Sequence, residues 1–366
     1  MPGTVATPTC VDCKDADGAH KIRQRLLCAP CFKRYVNSKI LKRMESYRIK
    51  NQTGTSKPRL LLALSGGASS MVLLSVLDDQ LQKQLSKQNR TAYDLVIVHV
   101  DTSHSPSRTT PTWYFAAAQR FPQYTFLPPV HISSAFSHDH RLTSTLSHLG
   151  LPTPTTPDTP QSTYHTLLSA CTTRTTLTDI EQIVLTRLLA ALARTHTCTS
   201  LLLSHSDTRL ASQSLSAVAK GRGGAAPGSS ADGYSAGHGV EMRYPCRDLF
   251  RAELELFASS LEERAELAEG EGEDPAVAAA KVPSVKSLSI DELLAGYITS
   301  QGERYPSIMA NVVRTVGKLQ SEEPGVEEGQ GKWCAFCRGA ILSAQEGDRE
   351  ELCYGCTRMR QDIKIR

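Results

Sequence analysis

The chain is organised around one stretch, Arg59-Leu60-Leu61-Leu62-Ala63-Leu64-Ser65-Gly66-Gly67-Ala68-Ser69-Ser70-Met71-Val72-Leu73-Leu74. An apolar run of strand length ends in Ser-Gly-Gly, and a helical pattern of apolar residues begins directly afterwards. Because glycine has no Cβ, Gly66 and Gly67 allow a positive φ and a close approach of the backbone to a ligand. The stretch therefore predicts a strand, a glycine-rich loop and a helix.

The loop offers groups that can bind a phosphate. Serine hydroxyls flank the two glycines, and the N-terminus of the following helix offers N–H groups and the positive end of its dipole. A tight strand-to-helix turn with a serine N-cap explains the same residues, so the loop alone leaves both interpretations open. The candidate nucleotide-binding residues are Ser65, Gly66, Gly67, Ser69 and Ser70.

Charge is distributed unevenly along the 366 residues, whose formal net charge is +4. Residues 1–57 hold 12 Lys and Arg against 4 Asp and Glu, a net +8, which favours a polyanionic partner. No apolar run reaches the roughly 18 residues of a membrane span. The first residues lack the apolar segment of a secretory signal. We therefore expect a cytoplasmic protein that does not enter a membrane.

Eight of the 11 cysteines form two sets of paired Cys-x-x-Cys motifs, with 14 residues between the pairs in the first set and 15 in the second. In a reducing compartment, metal ligation is favoured over disulfides. Four thiolates at this spacing close tetrahedrally around one Zn²⁺ ion, although spacing alone does not exclude iron. We predict two zinc sites, formed by Cys10, Cys13, Cys28 and Cys31, and by Cys334, Cys337, Cys353 and Cys356.

A basic helix is predicted from Phe32 to about Lys50, because apolar residues recur there at helical spacing. Basic residues crowd the remaining positions, with only Glu45 to balance them. Such a helix suits a phosphate backbone, although a merely solvated helix face accounts for the same pattern. The candidate nucleic-acid contacts are Arg34, Lys39, Lys42, Arg43 and Arg48.

Strands and helices alternate downstream, which predicts a doubly wound parallel sheet. A late helical region is expected to break near Pro306. Single cysteines at 171, 198 and 246 are interpreted as buried small residues, and His99 as a core histidine. The predicted strands are Tyr93–Asp101, Thr125–Ile132 and Cys198–Ser206, and the predicted helices are 111–121, Thr178–Thr195, Asp207–Ala219 and Ser289–Gln320.

These patterns divide the chain into four parts. They are a zinc module with the basic helix (1–50), an α/β domain (51–265), an acidic linker with a helical region (266–330) and a second zinc module (331–366). Three stretches of biased composition, which we expect to be flexible insertions, are 151–163, 221–239 and 262–283.

The central loop resembles the pyrophosphate loop (PP-loop) of N-type ATP pyrophosphatases, which reads Ser-Gly-Gly-Lys/Xaa-Asp-Ser. Ala68 stands where many members have a lysine, and Ser69 stands where the family has an aspartate. This loop thus lacks a cation that would neutralise phosphate and a carboxylate that would help to hold Mg²⁺. Whether ATP still binds is left open.

Two Cys₄ modules flanking such a sheet are similar to the tRNA-thiolation branch of that family. Its active members carry further cysteines, which hold an iron–sulfur cluster or relay sulfur. Here the segment 170–174 has only Cys171, with Arg174 where a second cysteine is expected. After the helix Asp207–Ala219, only Cys246 appears before the C-terminal Cys₄ set. The segment Ser204–Ala211 resembles the family's Gly-His-Asn-x-Asp-Asp-x-x-Glu stretch with fewer carboxylates. On these residues the chain resembles the cytoplasmic tRNA 2-thiolation protein 2 family, the degenerate partners of an active thiolase.

The resemblance implies a PP-loop sheet of N-type ATP pyrophosphatase type, flanked by N- and C-terminal zinc modules. It also implies a non-catalytic subunit of a heterodimer that 2-thiolates the wobble uridine of Lys, Glu and Gln tRNAs. The implied partners are the catalytic thiolase subunit, tRNA and a thiocarboxylated ubiquitin-like sulfur carrier. Two alternatives stay open, namely a sulfurtransferase using Cys171 or Cys246, and a zinc-ribbon nucleic-acid-binding module on an inert scaffold.

Overall fold

The computed structural model describes residues 8–48, 57–104, 110–151, 159–223, 226, 230–261, 287–318, 333–341 and 352–364. The strands are β1 (His20–Ile22), β2 (Arg25–Leu27), β3 (Arg59–Ala63), β4 (Asp94–Val98), β5 (Val100–Asp101), β6 (Thr125–Phe126), β7 (Val130–His131), β8 (Ser200–Leu202), β9 (Gly233–Ser235) and β10 (Val240–Arg243). The helices are α1 (Ala29–Arg43), α2 (Ala68–Gln88), α3 (Thr112–Arg120), α4 (Ala135–His138), α5 (His140–Ser144), α6 (Pro160–Ser169), α7 (Arg174–Thr195), α8 (Asp207–Ala219), α9 (Arg251–Ser259), α10 (Ile290–Arg304), α11 (Pro306–Lys318) and α12 (Tyr354–Gln361).

The central sheet has the strand order β6–β4–β3–β8–β10–β9. Its pairs are parallel except for β9, which runs antiparallel to β10 at one edge. β3 lies inside this order, so the predicted strand before the Ser-Gly-Gly loop is a buried central strand. The doubly wound parallel sheet is confirmed, with one antiparallel edge strand added.

Successive side chains of a strand point to opposite faces of the sheet, so apolar residues of β3 form a core on each face. Helices cover both faces. On β3, Leu60 and Leu62 join a core shared with α1, α2, α3 and α9. Leu61 joins a second core shared with α7, α8 and the C-terminal cysteines. The first core also contains Cys10, Cys28 and Cys31, so each Cys₄ module packs into one of the two cores of the sheet.

Two of the predicted strands are divided in the structure. The strand expected over Tyr93–Asp101 is divided into β4, which pairs with β3, and β5, which pairs with β7 in a separate two-stranded sheet. The strand expected over Thr125–Ile132 is broken into β6 and β7 at Pro128 and Pro129, since proline has no N–H for a ladder. Likewise, Cys198–Ser206 contains only the three residues of β8.

The basic helix α1 ends at Arg43 instead of near Lys50. A single 3₁₀ turn, Glu45–Tyr47, follows. Burial of Tyr47 against the sheet explains the early end, because its hydroxyl lies 2.5 Å from Glu241 Oε2 and also contacts Ser200 Oγ. Residues 49 and 50 of the predicted helix lie outside the described residues.

The helix predictions agree more closely with the structure. α8 has the predicted bounds, and α7 begins at Arg174, four residues before the expected start. The late helical region is divided into α10 and α11 at Pro306, as expected. Of the three biased stretches, 262–283 and most of 151–163 lie outside the described residues, and 221–239 contains β9. The four-part division of the chain stays a prediction.

Candidate metal centres, nucleotide loop and nucleic-acid interface

The Ser-Gly-Gly loop connects β3 to α2 at the carboxyl edge of the central sheet, where α/β folds bind ligands. Gly66 has a φ of 84°, in the left-handed region that favours glycine. Gly67 is the N-cap residue of α2, and a Cβ added to it would meet only Ser65 Oγ, at 3.7 Å. The loop backbone therefore leaves room for a ligand.

The side chains of this loop bring little charge to that space. Ser70 is 1% exposed, and its hydroxyl donates to the Gly67 carbonyl oxygen at 2.9 Å. The Ser65 hydroxyl donates to Ser70 Oγ at 3.3 Å. Ser70 thus stabilises the turn, and positions 68 and 69 carry only a methyl group and a hydroxyl. The loop can accept an anion through backbone N–H groups, without the cation or the carboxylate of the PP-loop pattern.

A buried carboxyl group lies near the same edge of the sheet and was not predicted as a site residue. Asp207 begins α8 and is 3% exposed, and burial raises its pKa to about 7. Its Oδ1 has no hydrogen-bond partner among the described residues. The sequence signal for Asp207 was its position directly after the predicted strand Cys198–Ser206. It also lies within Ser204–Ala211, the stretch that resembles the family motif.

Arg23 is a second residue that sequence reasoning missed. It occupies the turn between β1 and β2 with a φ of 56°. Its Nε donates to Glu253 Oε1 at 3.0 Å, and its guanidinium lies 4.0 Å from the centre of the Phe250 ring. The N-terminal module is thereby held against α9. No local pattern shows this pairing, because the partners are 230 residues apart.

Burial raises the pKa of each of the three single cysteines, which favours the protonated thiol. Cys246 is completely buried, and burial raises its pKa well above the usual range. Burial also raises the pKa of Cys198 and brings that of Cys171 to about 12. Cys171 is only partly buried, contrary to the expectation, and its Sγ donates to the Leu167 carbonyl oxygen at 3.3 Å. Since the thiolate is the nucleophile, none of the three is poised to carry sulfur at neutral pH.

The N-terminal Cys₄ group combines a turn with a helix start. After Cys10 and Cys13, the Lys14 N–H donates to the Cys10 carbonyl oxygen at 2.9 Å, and Lys14 takes a φ of 61°. Cys28 is the N-cap residue of α1, and Cys31 lies in its first turn. The four sulfur atoms lie within 4.8 Å of one another.

The C-terminal Cys₄ group repeats this plan. After Cys334 and Cys337, the Arg338 N–H donates to the Cys334 carbonyl oxygen at 3.1 Å, again with a φ of 61°. Cys353 is the N-cap residue of α12, and Cys356 lies in its first turn. These four sulfur atoms also lie within 4.8 Å of one another.

Both groups fit a tetrahedral metal ion. Zn–S bonds of about 2.3 Å place the sulfur atoms of a ZnS₄ centre about 3.8 Å apart. The sulfur atoms of Cys13 and Cys28 are 3.8 Å apart, and those of Cys337 and Cys353 are 3.6 Å apart. The predicted grouping of the eight cysteines into two potential metal sites is confirmed, and zinc as the metal stays a prediction.

The structure pairs several cations of the proposed nucleic-acid helix with acidic groups. Arg43 forms two hydrogen bonds of 2.7 Å with the Asp248 carboxylate, and Arg48 lies 2.9 Å from Glu45. Lys39 lies 5.7 Å from the centre of the Tyr35 ring. The acids that balance this helix are therefore partly distant in sequence. Arg34 and Lys42 are the exposed members of the set.

The sheet and its two Cys₄ groups define a PP-loop-type α/β protein with terminal metal modules. Among solved structures, the chain is similar to the U34-tRNA thiolase NcsA from Methanococcus maripaludis, determined with its [4Fe-4S] cluster. The TM-score is 0.55 at 16% identity, covering 99% of this chain and 98% of that one. This likeness supports the fold.

The chain belongs to the cytoplasmic tRNA 2-thiolation protein 2 family. It is 37% identical to the protein of that name from Neosartorya fischeri over 99% of this chain and 100% of the relative. Identity is 36% to the Aspergillus clavatus protein, over 99% and 100%, and 36% to the Aspergillus oryzae protein, over 98% and 99%. The sequence profile of the family, described as Cytoplasmic tRNA 2-thiolation protein 2, matches residues 289–350.

Family membership connects the chain with tRNA 2-thiolation, and the expectation of a cytoplasmic protein agrees with the names of its relatives. No helix among the described residues has both the length and the hydrophobicity that crossing a membrane requires.

Proposed function

We propose that the chain is the non-catalytic subunit of a heterodimeric, cytoplasmic tRNA thiolase. The observation that carries this proposal is the loop at the carboxyl edge of the sheet. This chain has Ala68 and Ser69 at the two positions where the PP-loop pattern has charged residues. The raised pKa values of Cys171 and Cys246 support it, because a thiol that stays protonated at neutral pH is a poor nucleophile for relaying sulfur. The chain keeps the frame of the enzyme and contributes binding surface.

In this proposal the catalytic partner performs the group transfer. ATP adenylates O2 of the wobble uridine and releases pyrophosphate. The thiocarboxylate sulfur of a ubiquitin-like carrier then attacks C2, and the bond from C2 to the adenylated oxygen breaks, which releases AMP. Water then cleaves the bond between this sulfur and the carrier's carbonyl carbon, so that the sulfur stays on C2 and the carrier leaves as a carboxylate. The substrates are the Lys, Glu and Gln tRNAs that the family resemblance implies.

The proposed share of this chain is tRNA binding and support of the catalytic partner. The basic helix supports the first role, because its contacts with phosphates add affinity with little sequence preference. Its exposed residues, Arg34 and Lys42, are available for such contacts, and Lys39, Arg43 and Arg48 are partly engaged within the chain. The two zinc modules pack into the two cores of the sheet through their cysteines.

The test is ATP-dependent thiolation of tRNA with this chain alone, with its catalytic partner alone and with both. We expect undetectable thiolation and AMP release by the isolated chain, and higher activity and tRNA affinity when both subunits are present. Ser69→Asp should not restore activity to the isolated chain, because sulfur-handling cysteines are also missing. Thiolation by this chain alone favours the sulfurtransferase alternative. Equal activity of the partner with and without this chain contradicts the subunit role.

A further inference from the structure

The C-terminal Cys₄ group has an arginine at one of its sulfur atoms. Arg222 lies just after α8, and its Nη1 donates to Cys356 Sγ at 3.5 Å. Its Nη2 lies 3.7 Å from Met359 Sδ and 2.5 Å from Asp179 Oδ2. The side chain is 9% exposed. A residue 134 positions earlier in the chain thus reaches a metal-ligating sulfur from the body of the protein.

The backbone of the C-terminal module leaves space for this arginine. A Cβ added to Gly355 would lie 2.5 Å from Arg222 Cγ and 2.8 Å from its Nη1, distances that side chains do not tolerate. Gly221, with a φ of 78°, makes the reciprocal space, since a Cβ there would lie 2.7 Å from the Tyr354 ring. The two segments interlock through a glycine on each side, so the approach of Arg222 to Cys356 is built into the packing.

The orientation of Arg222 is fixed by a buried ion-pair network. Asp179 on α7 also contacts Lys220 Nζ at 3.0 Å, and Lys220 contacts Asp291 on α10 at 2.8 Å. Arginine is always charged and presents several N–H donors in one plane. With one side of its guanidinium held by Asp179, the other side is directed at the sulfur.

In a metal site, an N–H donor stabilises the charge of a thiolate ligand and orients it. Four thiolates around a divalent ion carry a net charge of −2, and a hydrogen bond from a cation lowers the cost of burying that charge. Residues that hydrogen-bond to metal ligands orient them, and losing one typically weakens metal binding by about 10- to 100-fold.

We propose that Arg222 is a positioning residue of the C-terminal metal centre, which holds the Cys356 thiolate and slows the loss of metal from this site. The N-terminal group has no equivalent among the described residues. There Arg34, whose Nη2 lies 4.0 Å from Cys31 Sγ, is exposed and belongs to the same helix as that cysteine.

The test is metal release from the full-length chain to a chromogenic chelator, with Cys28→Ser and Cys353→Ser assigning the two phases. We expect Arg222→Gln to accelerate the C-terminal phase about 10-fold or more and to leave the N-terminal phase unchanged. Asp179 keeps Lys220 as its counter-ion in this variant. Arg34→Gln is the matched control and should leave both phases unchanged.

A spectroscopic measurement separates positioning from a general loss of stability. In the cobalt-substituted protein, removing an N–H donor from a thiolate shifts the sulfur-to-cobalt charge-transfer band. We expect this shift in Arg222→Gln and in Gly355→Ala, which displaces the arginine without removing it, and a partial return in Arg222→Lys. If release and the cobalt band are unchanged in the folded variants, the proposal is wrong. Gly355→Ala and Arg222→Lys carry the test if Arg222→Gln does not fold.

Discussion

The two Cys₄ modules are built alike and surrounded differently. Each joins a turn whose closing residue has a φ of 61° to a helix whose N-cap residue is the third cysteine. The N-terminal group keeps Cys13 exposed, and the nearby Arg25–Asp12 ion pair is largely solvated. The C-terminal group is held by Arg222 and by Arg187, which is 1% exposed. The spacing of the cysteines determines the geometry of the four ligands. The residues that contact each module determine how strongly the fold depends on that module.

The largest expected effect comes from removing one matched ligand from each module. Cys28→Ser and Cys353→Ser should each lose one metal equivalent per chain. We expect Cys353→Ser to lower the Tm by on the order of 10 °C, and by more than Cys28→Ser, because its module supports a buried ion-pair network. Metal analysis and thermal unfolding of both variants check this. Unchanged metal content contradicts the site assignment, and equal Tm shifts contradict the comparison.

A smaller effect is expected from the arginine that clamps the C-terminal turn. Arg187 donates to the carbonyl oxygens of Ala335 and Phe336 at 3.1 and 2.7 Å, and its Nε lies 2.6 Å from Asp139 Oδ2. Arg187→Met leaves the partly buried Asp139 carboxylate and two carbonyls without this partner, which should cost about 3 kcal/mol of unfolding free energy.

Arg25→Met is the matched control for this variant in the N-terminal module. Its ion pair with Asp12 is exposed on the surface, and such pairs contribute little to stability. Denaturant unfolding of the two variants measures the difference. A similar loss of stability in both would show that the two modules do not differ as described.

The buried carboxyl group of Asp207 at the start of α8 predicts a pH dependence. Burial raises the pKa of Asp207 from 3.8 to about 7, so the folded chain keeps a proton that the unfolded chain releases in this interval. This contribution to stability is therefore lost as the pH rises from about 4 to about 7. Relative to the wild type, Asp207→Asn should gain on the order of 4 kcal/mol across this window. The exposed Asp12→Asn serves as control, and parallel stability curves for wild type and Asp207→Asn contradict the interpretation.

The smallest expected effect is on tRNA binding. It distinguishes the exposed cations of α1, Arg34 and Lys42, from Arg43, which is paired with an acidic residue. Arg34→Glu/Lys42→Glu should weaken tRNA binding by the heterodimer and reduce the slope of log K against log salt by about 1 to 2, since each phosphate contact contributes somewhat less than one unit. Arg43→Gln should change the slope less, because Asp248 already binds this guanidinium. Titrations at three salt concentrations decide, and an unchanged slope in the double variant removes the tRNA role from this helix.

Features that depend on nearby residues were predictable from the sequence. The cysteine spacing identified both metal groups, and the periodicity after Ser206 placed α8 at its observed bounds. The Ser-Gly-Gly stretch identified the strand, the loop and the helix at the centre of the fold. In each case the pattern is set by residues that are close in the sequence, with at most 15 residues between the two Cys-x-x-Cys pairs of one set.

Features that depend on distant residues were not predictable. Arg187 contacts the C-terminal turn across about 150 residues, and the Arg222–Cys356 contact spans 134. Arg43 looked like a free cation because its partner, Asp248, lies 205 residues away. The end of α1 was missed for the same reason, since burial of Tyr47 against β8 and β10 overrides the helical pattern. Long-range packing, which local propensity does not encode, decided these positions.

Metal content and the optical spectrum of the purified full-length chain test the central claim most directly. The claim is that the chain keeps two structural Cys₄ centres and has lost the sulfur chemistry between them. We predict two zinc ions per chain and no absorption from an iron–sulfur cluster. The similar thiolase from Methanococcus maripaludis carries a [4Fe-4S] cluster. An iron–sulfur spectrum with matching iron content in this chain would contradict the account and support an active sulfurtransferase.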